Sequence, residues 1–162
     1  DDTALSDPGQ DVLKIAVLDR HTGTGTTGKG FVRGLGLAKG AMASSVAHDS
    51  HNIIVAGVSD ADMMAAFAAV VEMGGGLAAA NAGSVRATLP LPVGGLMSDE
   101  PVRQVCHSLD HLLAAVREFG CPLKDPFMTL SFLALPVIPT LKLTDKGLVD
   151  VDKFSFVPLF VD

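Results

Sequence analysis

The sequence predicts an α/β fold of the α+β type, in which two main helices pack on a mixed β-sheet. Short apolar runs at residues 12–18, 41–47 and 52–58 have the length and composition of buried strands. Two longer segments, 59–73 and 100–119, start at or just after a Ser-Asp pair and end at glycine, as helices commonly do. With 162 residues, these elements fit one domain.

The remaining elements are predicted from turn residues. Asn81-Ala82-Gly83 separates two short apolar runs and predicts a hairpin between residues 77–80 and 84–89. Further predictions are a glycine-rich connection at residues 22–40, a short strand or turn at 130–135, a turn at 144–147 and a final strand at 155–161. The resulting β-α-β-β-α-β order indicates a possible duplicated β-α-β unit.

Composition limits the classes of partner. Hydrophobic residues make up 48% of the chain, Trp and Tyr are absent, and the formal net charge is −6. The negative charge disfavours nucleic acid and anionic membranes as partners, and the uncharged stretch 126–141 is too short to span a bilayer. Cys106, on a helical pattern, is predicted to be a small core residue. Together with Cys121 it fits the reduced thiols of a cytoplasmic protein.

The two predicted helices differ in their apolar surfaces. The second is amphipathic, with one apolar stripe made of Val102, Val105, Cys106, Leu109, Leu112, Leu113, Val116 and Phe119. The first is apolar on every side, so something besides the sheet must cover its second face. Met63, Met64 and Phe67 are therefore predicted to face a neighbouring domain or subunit.

A polar cluster, His48-Asp49-Ser50-His51-Asn52, lies between two predicted strands. Burying such side chains costs free energy unless each finds a partner, so the cluster is either a hydrogen-bonded turn or a working surface. If strand alternation continued through it, Asp49 and His51 would share one face, where a carboxylate can orient an imidazole or relay a proton. Two ligands on one face are too few for a catalytic metal site. A surface that borders an active site or a domain interface remains open, as does a free-standing catalytic centre.

Other motifs are weaker candidates. Gly23–Gly28 fits a phosphate-loop pattern, but the glycines that follow prevent the helix start that holds a phosphate. We therefore expect an irregular loop whose backbone approaches another surface closely. His107 and His111 are spaced to share a metal, yet they lie opposite the apolar stripe and are predicted to be solvated. His21, after the first strand, is predicted to be structural or interfacial.

Three blocks, KGFVRGLGLAKGAMASSVAHDSHNIIVAGVSDADM, LPLPVGGLMSDEP and DPFMTLSFLALPVIPTLKLTDKGLVDV, resemble the C-terminal domain of bacterial adenine deaminases, members of the amidohydrolase superfamily. The resemblance runs from about Lys14 to Val161. It implies that residues 11–162 form this domain and that the polar residues 1–10 are a linker or a cleavage remnant.

The resemblance also implies a function. The parent enzyme would hydrolyse adenine to hypoxanthine and ammonia, in the cytoplasm, with a water activated by Mn²⁺ or Fe²⁺ in a barrel domain that this chain lacks. The expected partners are that barrel domain, in the same chain or a separate one, and further copies of the enzyme in a homo-oligomer. This domain would be structural and hold no cofactor, and His48–Asn52 would border the active site. Two alternatives are a separate non-catalytic subunit and a small hydrolase using His48, Asp49 and His51.

Overall fold

The structure, a computed structural model, describes residues 4–161 and is built around a six-stranded antiparallel sheet. Its strands are β1 (Leu13–Leu18), β2 (Thr27–Val32), β3 (Ala41–Ser44), β4 (Ile53–Gly57), β5 (Gly76–Asn81) and β6 (Ser84–Pro90). Their order across the sheet is β2-β1-β4-β3-β5-β6. The predicted hairpin at Asn81-Ala82-Gly83 is confirmed as the β5–β6 connection.

Three helices and a second sheet surround this centre. The helices are α1 (Asp60–Glu72), α2 (Val102–Glu118) and α3 (Pro126–Phe132). The second sheet is antiparallel and joins β7 (Leu141–Thr144), β8 (Gly147–Asp150) and β9 (Ser155–Phe156). The predicted turn at residues 144–147 is confirmed as the β7–β8 connection.

Strand alternation divides the interior into two apolar layers. On one face, Leu13 and Val17 of β1 pack with Leu112 of α2 and Leu130 of α3. On the other face, Ile53 and Val55 of β4 pack with residues of α1. Because successive side chains of a strand point to opposite faces, the sheet is covered on both sides. This arrangement fixes the ends of β1, β3 and β4, where the polar cluster lies.

The start of α1 is held by a capping interaction that also fixes the β5–β6 hairpin. The Ser59 hydroxyl accepts a hydrogen bond from the Asp62 backbone N–H at 3.2 Å and donates to Asp62 Oδ2 at 2.8 Å. Asp62 Oδ1 accepts from the Gly83 backbone N–H at 2.8 Å. The capping predicted from Ser59 and Asp62 is therefore confirmed, and it links the helix to the turn after β5.

The α/β class and the two main helices are confirmed, but the sheet is not mixed. Every pair of neighbouring strands within residues 4–161 is antiparallel. A single β-α-β unit exists among the described residues, because β4 and β5 run in the same direction on either side of β3, and α1 joins them. The predicted duplication is wrong because α2 leads into α3 instead of a parallel strand.

Three further predictions need correction. The glycine-rich connection contains β2, where Gly28 lets the second sheet approach, since a Cβ there would lie 1.8 Å from the Thr144 carbonyl oxygen. This contact confirms the predicted close backbone approach. Of the strand or turn predicted at 130–135, the strand is wrong: residues 130–132 end α3, which starts at Pro126 and buries Phe127 and Leu130, and a turn follows at 133–134. The final strand is limited to Ser155–Phe156.

Cys106 is exposed, so its prediction as a core residue is wrong: the apolar stripe is open to solvent near the start of α2, where Val102 is 74% exposed. Near the other end of the chain, Ser6 donates to the Gly57 carbonyl and accepts from the Lys14 backbone N–H. From Ser6 onward, the segment predicted as a linker thus packs on the domain, while residues 1–3 lie outside the described part.

Within residues 4–161, the structure contains no helix of the length and apolarity required to cross a membrane.

Candidate functional site

The polar cluster forms a turn between β3 and β4 and does not continue either strand. The His51 backbone N–H donates to the Ala47 carbonyl oxygen at 2.7 Å, which closes the turn. Strand alternation therefore stops at the turn and does not determine the relative positions of Asp49 and His51. Instead the rings of His48 and His51 meet edge to face with centroids 5.4 Å apart, and the His48 ring lies 5.2 Å from that of Phe132 on α3.

Arg20, which no pattern in the sequence singles out, fastens this turn to the domain. Its Nε donates to the His51 carbonyl oxygen, and its Nη2 donates to the Gly94 carbonyl oxygen at 2.9 Å. Its backbone N–H donates to Asn52 Oδ1 at 3.3 Å. A Cβ at Gly95 would lie 2.6 Å from Arg20 Nη1, so that glycine leaves room for the guanidinium. Arg20 therefore connects the end of β1, the polar turn and the segment after β6.

His21 also contacts the turn, which supports the structural alternative predicted for it. Its Nε2 lies 2.7 Å from the Ser50 carbonyl oxygen, and a carbonyl only accepts, so the imidazole donates. The neighbouring Asp19 organises the exposed loop that follows, because its carboxylate accepts from the Thr22 and Thr24 hydroxyls. The Thr22 hydroxyl and the other donors lower the pKa of Asp19 to about 2.

The hydrogen bonds of His51 define its tautomer. The Ala47 backbone N–H donates to His51 Nδ1 at 3.3 Å, so Nδ1 carries no proton and the neutral ring is protonated at Nε2. Burial lowers the pKa of His51 below its ordinary value of 6.5, and nearby His48 and Arg20 lower it further. Asp49 opposes the shift. His51 is therefore a neutral imidazole at pH 7.

This shift predicts acid sensitivity. Because the pKa of His51 is lower in the folded state, the unfolded chain takes up a proton first as the pH falls. The stability contributed by the neutral ring is present above the ordinary pKa of 6.5 and is lost as the pH falls from there towards the folded-state value. As the pH is lowered from about 7.5 to about 5, we expect the melting temperature to fall more steeply for the native chain than for His51→Gln. Equal slopes would contradict this assignment.

The five cluster residues divide into two groups by exposure. Asn52 is buried, while His48 and His51 are half-buried and hold the turn together. Asp49 and Ser50 are exposed at its tip. Their side chains line a cleft of about 680 Å³ whose opposite wall is the second sheet. The backbone of the turn is thus anchored to the domain, while two polar residues are exposed at its tip.

The described residues do not fit a transition-metal site. Within residues 4–161, no group of three or more His, Cys, Asp or Glu side chains is arranged to hold an ion. His107 and His111 lie with ring centroids 4.5 Å apart on the exposed side of α2, as a solvated pair. We therefore derive no chemical step through a metal in this domain.

The outer side of α1 forms a second candidate surface. Of the three residues predicted to face a partner, Met63 is 9% exposed and packs against the sheet, Phe67 is half-buried and Met64 is 60% exposed. Val71 extends the exposed apolar strip. Beside the helix lies a groove of about 530 Å³, lined by α1, β1, β2 and the segment containing Phe160.

Comparison with known proteins assigns the family. A family model described as the adenine deaminase C-terminal domain matches residues 1–155. The chain therefore belongs to the adenine deaminase C-terminal domain family. Relatives named adenine deaminase come from Desulfatibacillum aliphaticivorans, 66% identical over 157 residues, Oleidesulfovibrio alaskensis, 57% over 157, and Archaeoglobus fulgidus, 52% over 156.

These matches also show how much of each relative the domain represents. They cover 97%, 97% and 96% of this chain, respectively, and 28% of each relative. The chain thus spans little more than a quarter of the length of these adenine deaminases. The resemblance seen in the three sequence blocks is confirmed for the whole domain.

Proposed function

We propose that this domain is a non-catalytic part of an adenine aminohydrolase, and that it presents the turn His48–Asn52 to the entrance of the active site. The observation that carries the proposal is the division within the turn. Arg20 and His21 fasten its backbone, while Asp49 and Ser50 remain exposed. Two side chains from the segment after β1 thus hold the backbone of the turn while the tip stays exposed, which suits a turn that presents its tip to another part of the enzyme.

In this proposal the chemistry takes place elsewhere in the enzyme. Adenine would be hydrolysed to hypoxanthine and ammonia in a barrel domain of the amidohydrolase superfamily, where Mn²⁺ or Fe²⁺ would activate the attacking water. The relatives' name and the share of their length that this domain represents support this division of labour. The whole enzyme would be a cytoplasmic homo-oligomer.

The turn can contribute to such a reaction in two ways. The exposed carboxylate of Asp49 can accept a hydrogen bond from an amino-substituted base as it enters or leaves. The neutral His51, with its proton on Nε2, can donate a hydrogen bond at pH 7. Both functions require the turn to keep one conformation, which the Arg20 contacts provide.

We further propose that the outer side of α1 docks on the barrel domain. Met64 and Val71 expose apolar surface that continues into the groove beside the helix. Uncovered apolar surface of this kind commonly marks a protein interface. Burying it contributes roughly 25 cal/mol per Å², before the entropic cost of association.

A complementation experiment tests this function. The portion of the Desulfatibacillum relative that precedes the matched domain is mixed with the present chain, and adenine loss is followed by absorbance. The chain alone is expected to show no turnover and no stoichiometric transition metal. The mixture is expected to gain activity with saturable dependence on the chain. Met64→Lys with Val71→Lys should raise the half-saturating concentration at least about tenfold, by desolvating two charges at the interface.

The control is Val102→Lys, which introduces the same charge at an exposed site on the opposite face of the sheet. It should leave the half-saturating concentration unchanged. Turnover by the repurified chain alone would instead support a small hydrolase built on His48, Asp49 and His51. Equal effects of the α1 variants and Val102→Lys would show that α1 is not the docking surface.

A further inference from the structure

The second sheet has one side on the core and one side that points away from it. Leu143 of β7 and Leu148 of β8 lie opposite each other and pack against the main core. Because side chains alternate along a strand, the next row across the sheet, Lys142, Val149 and Phe156, points away from that core. Phe156 is 61% exposed there. The second sheet therefore has an outer side with an apolar ring open to solvent.

Further apolar residues enlarge this outer side. Phe154, in the turn between β8 and β9, is 84% exposed and has a left-handed backbone (φ 50°), which is unfavourable for a bulky residue. Val137 and Ile138, between α3 and β7, are 63% and 42% exposed. Val137 lines the same cleft as Phe154 and Phe156, so these side chains are neighbours. At about 200 Å² for a phenylalanine and about 150 Å² for an aliphatic residue, the four residues together expose roughly 450 Å².

An apolar area of this size fits one side of a protein interface. Stable interfaces bury about 800 Å² on each partner, and about 57–65% of that area is apolar. The outer side of the second sheet thus supplies nearly the whole apolar share of one partner. A small ligand would leave much of it uncovered, since both phenylalanine rings are open to solvent and not enclosed. The surface therefore suits a second protein surface.

The charges of the second sheet indicate which protein that is. Residues 141–156 have no net charge, in a chain of net charge −6, because they contain three lysines and three aspartates: Lys142, Lys146, Lys153, Asp145, Asp150 and Asp152. Two copies of the chain can therefore meet here without net repulsion, and lysines of each copy can face aspartates of the other. Across a two-fold axis every such contact is made twice, so a surface that carries both charges is complementary to itself.

We propose that the outer side of the second sheet joins two copies of this chain across a two-fold axis, with Phe154 and Phe156 at the centre of the contact. The outer side of α1, proposed above to dock on the barrel domain, belongs to the other face of the main sheet. Both contacts can therefore exist in one enzyme. The proposal assigns a surface to the homo-oligomer of the proposed function, and it rests on that function for nothing else.

Sedimentation equilibrium of the chain by itself tests this contact. A monomer–dimer equilibrium is expected. Phe154→Ser with Phe156→Ser should raise the dimer dissociation constant at least about thirtyfold, as the loss of central interface residues commonly does. The matched control is Phe160→Ser, which removes an exposed phenylalanine beside α1 and should leave the dissociation constant unchanged. Met64→Lys with Val71→Lys should also leave it unchanged.

Charge reversal tests whether the partner is a second copy of the chain. Lys146→Glu changes the net charge of residues 141–156 from zero to −2, and Asp152→Lys changes it from zero to +2. Both side chains are exposed, so folding should not depend on them. Each variant alone should dimerise at least about fivefold more weakly than the native chain, because like charges then face each other. An equal mixture of the two should form heterodimers with nearly native affinity.

Three results would overturn the proposal. They are a native chain that stays monomeric at about 1 mM, a Phe154 and Phe156 variant that dimerises as tightly as Phe160→Ser, and dimers that only the α1 variant disrupts. Circular dichroism shows whether each variant is folded. If the double phenylalanine variant does not fold, the charge-reversal pair decides, and a mixture that forms no heterodimer contradicts the contact. None of these results affects the complementation experiment, because that experiment measures docking on the barrel domain.

Discussion

Replacing Arg20 with methionine is expected to lower the free energy of unfolding of the domain by about 2–4 kcal/mol. Methionine keeps most of the apolar stem of the side chain but removes the donors to the His51 and Gly94 carbonyl oxygens. Those two acceptors then lose their partner. For a domain of this size, the melting temperature should fall by roughly 5–15 °C, as measured by circular dichroism.

Two control variants separate the contribution of the two hydrogen bonds from that of the positive charge. Arg20→Lys keeps the charge but cannot reach two carbonyl oxygens in one plane, so it should recover only part of the lost stability. Arg86→Met removes an exposed arginine from β6 and should cost less than about 0.5 kcal/mol. If Arg20→Met melts within a degree of the native chain, the turn is not held by this side chain.

Replacing Asp49 with asparagine is expected to have a large effect of a different kind. In a complete enzyme assembled with the barrel portion, kcat/KM for adenine should fall roughly tenfold to a hundredfold, because a charged acceptor at the entrance is lost. The stability of the domain should remain nearly unchanged, since Asp49 is exposed at the tip of the turn. Steady-state adenine kinetics measure this loss, and Asp99→Asn is the matched control.

His51 is expected to behave differently from Asp49. Asp49 is exposed at the tip of the turn, so its side chain contributes little to the packing of the domain. In the structure, however, His51 Nδ1 accepts from the Ala47 backbone N–H, and the ring packs on His48. His51→Ala should therefore cost about 1–2 kcal/mol in addition to any kinetic effect. Activity lost in that variant has to be corrected for lost folding before it is assigned to the site.

Local patterns in the sequence predicted the fold where neighbouring residues determine the structure. Apolar runs located β1, β3 and β4, Ser59 and Asp62 located the start of α1, and Asn81-Ala82-Gly83 located a hairpin. These features depend on periodicity, capping and turn geometry, which act within a few residues. The sequence could therefore specify them without knowledge of tertiary packing.

Features that depend on distant contacts could not be predicted in this way. Residues of β2 are rich in glycine, and they form a strand because β1 pairs with them and the second sheet packs closely on Gly28. Cys106 lies on the apolar stripe of α2, yet it is exposed, because no other part of the described chain covers the stripe near the start of the helix. Arg20 is 31 residues from His51 in the chain, so its role follows only from the pairing of β1 with β4.

We propose that the polar turn is held rigid by this domain but used by the assembled enzyme. The most direct measurement pairs the melting temperature of the chain with adenine kinetics of the assembled enzyme for Asp49→Asn and Asp99→Asn. We expect both variants to melt within about 1–2 °C of the native chain, while only Asp49→Asn lowers kcat/KM, by about tenfold or more. If Asp49→Asn lowers the melting temperature by several degrees and the assembled enzyme keeps normal kinetics, the turn is a structural connection and the claim is contradicted.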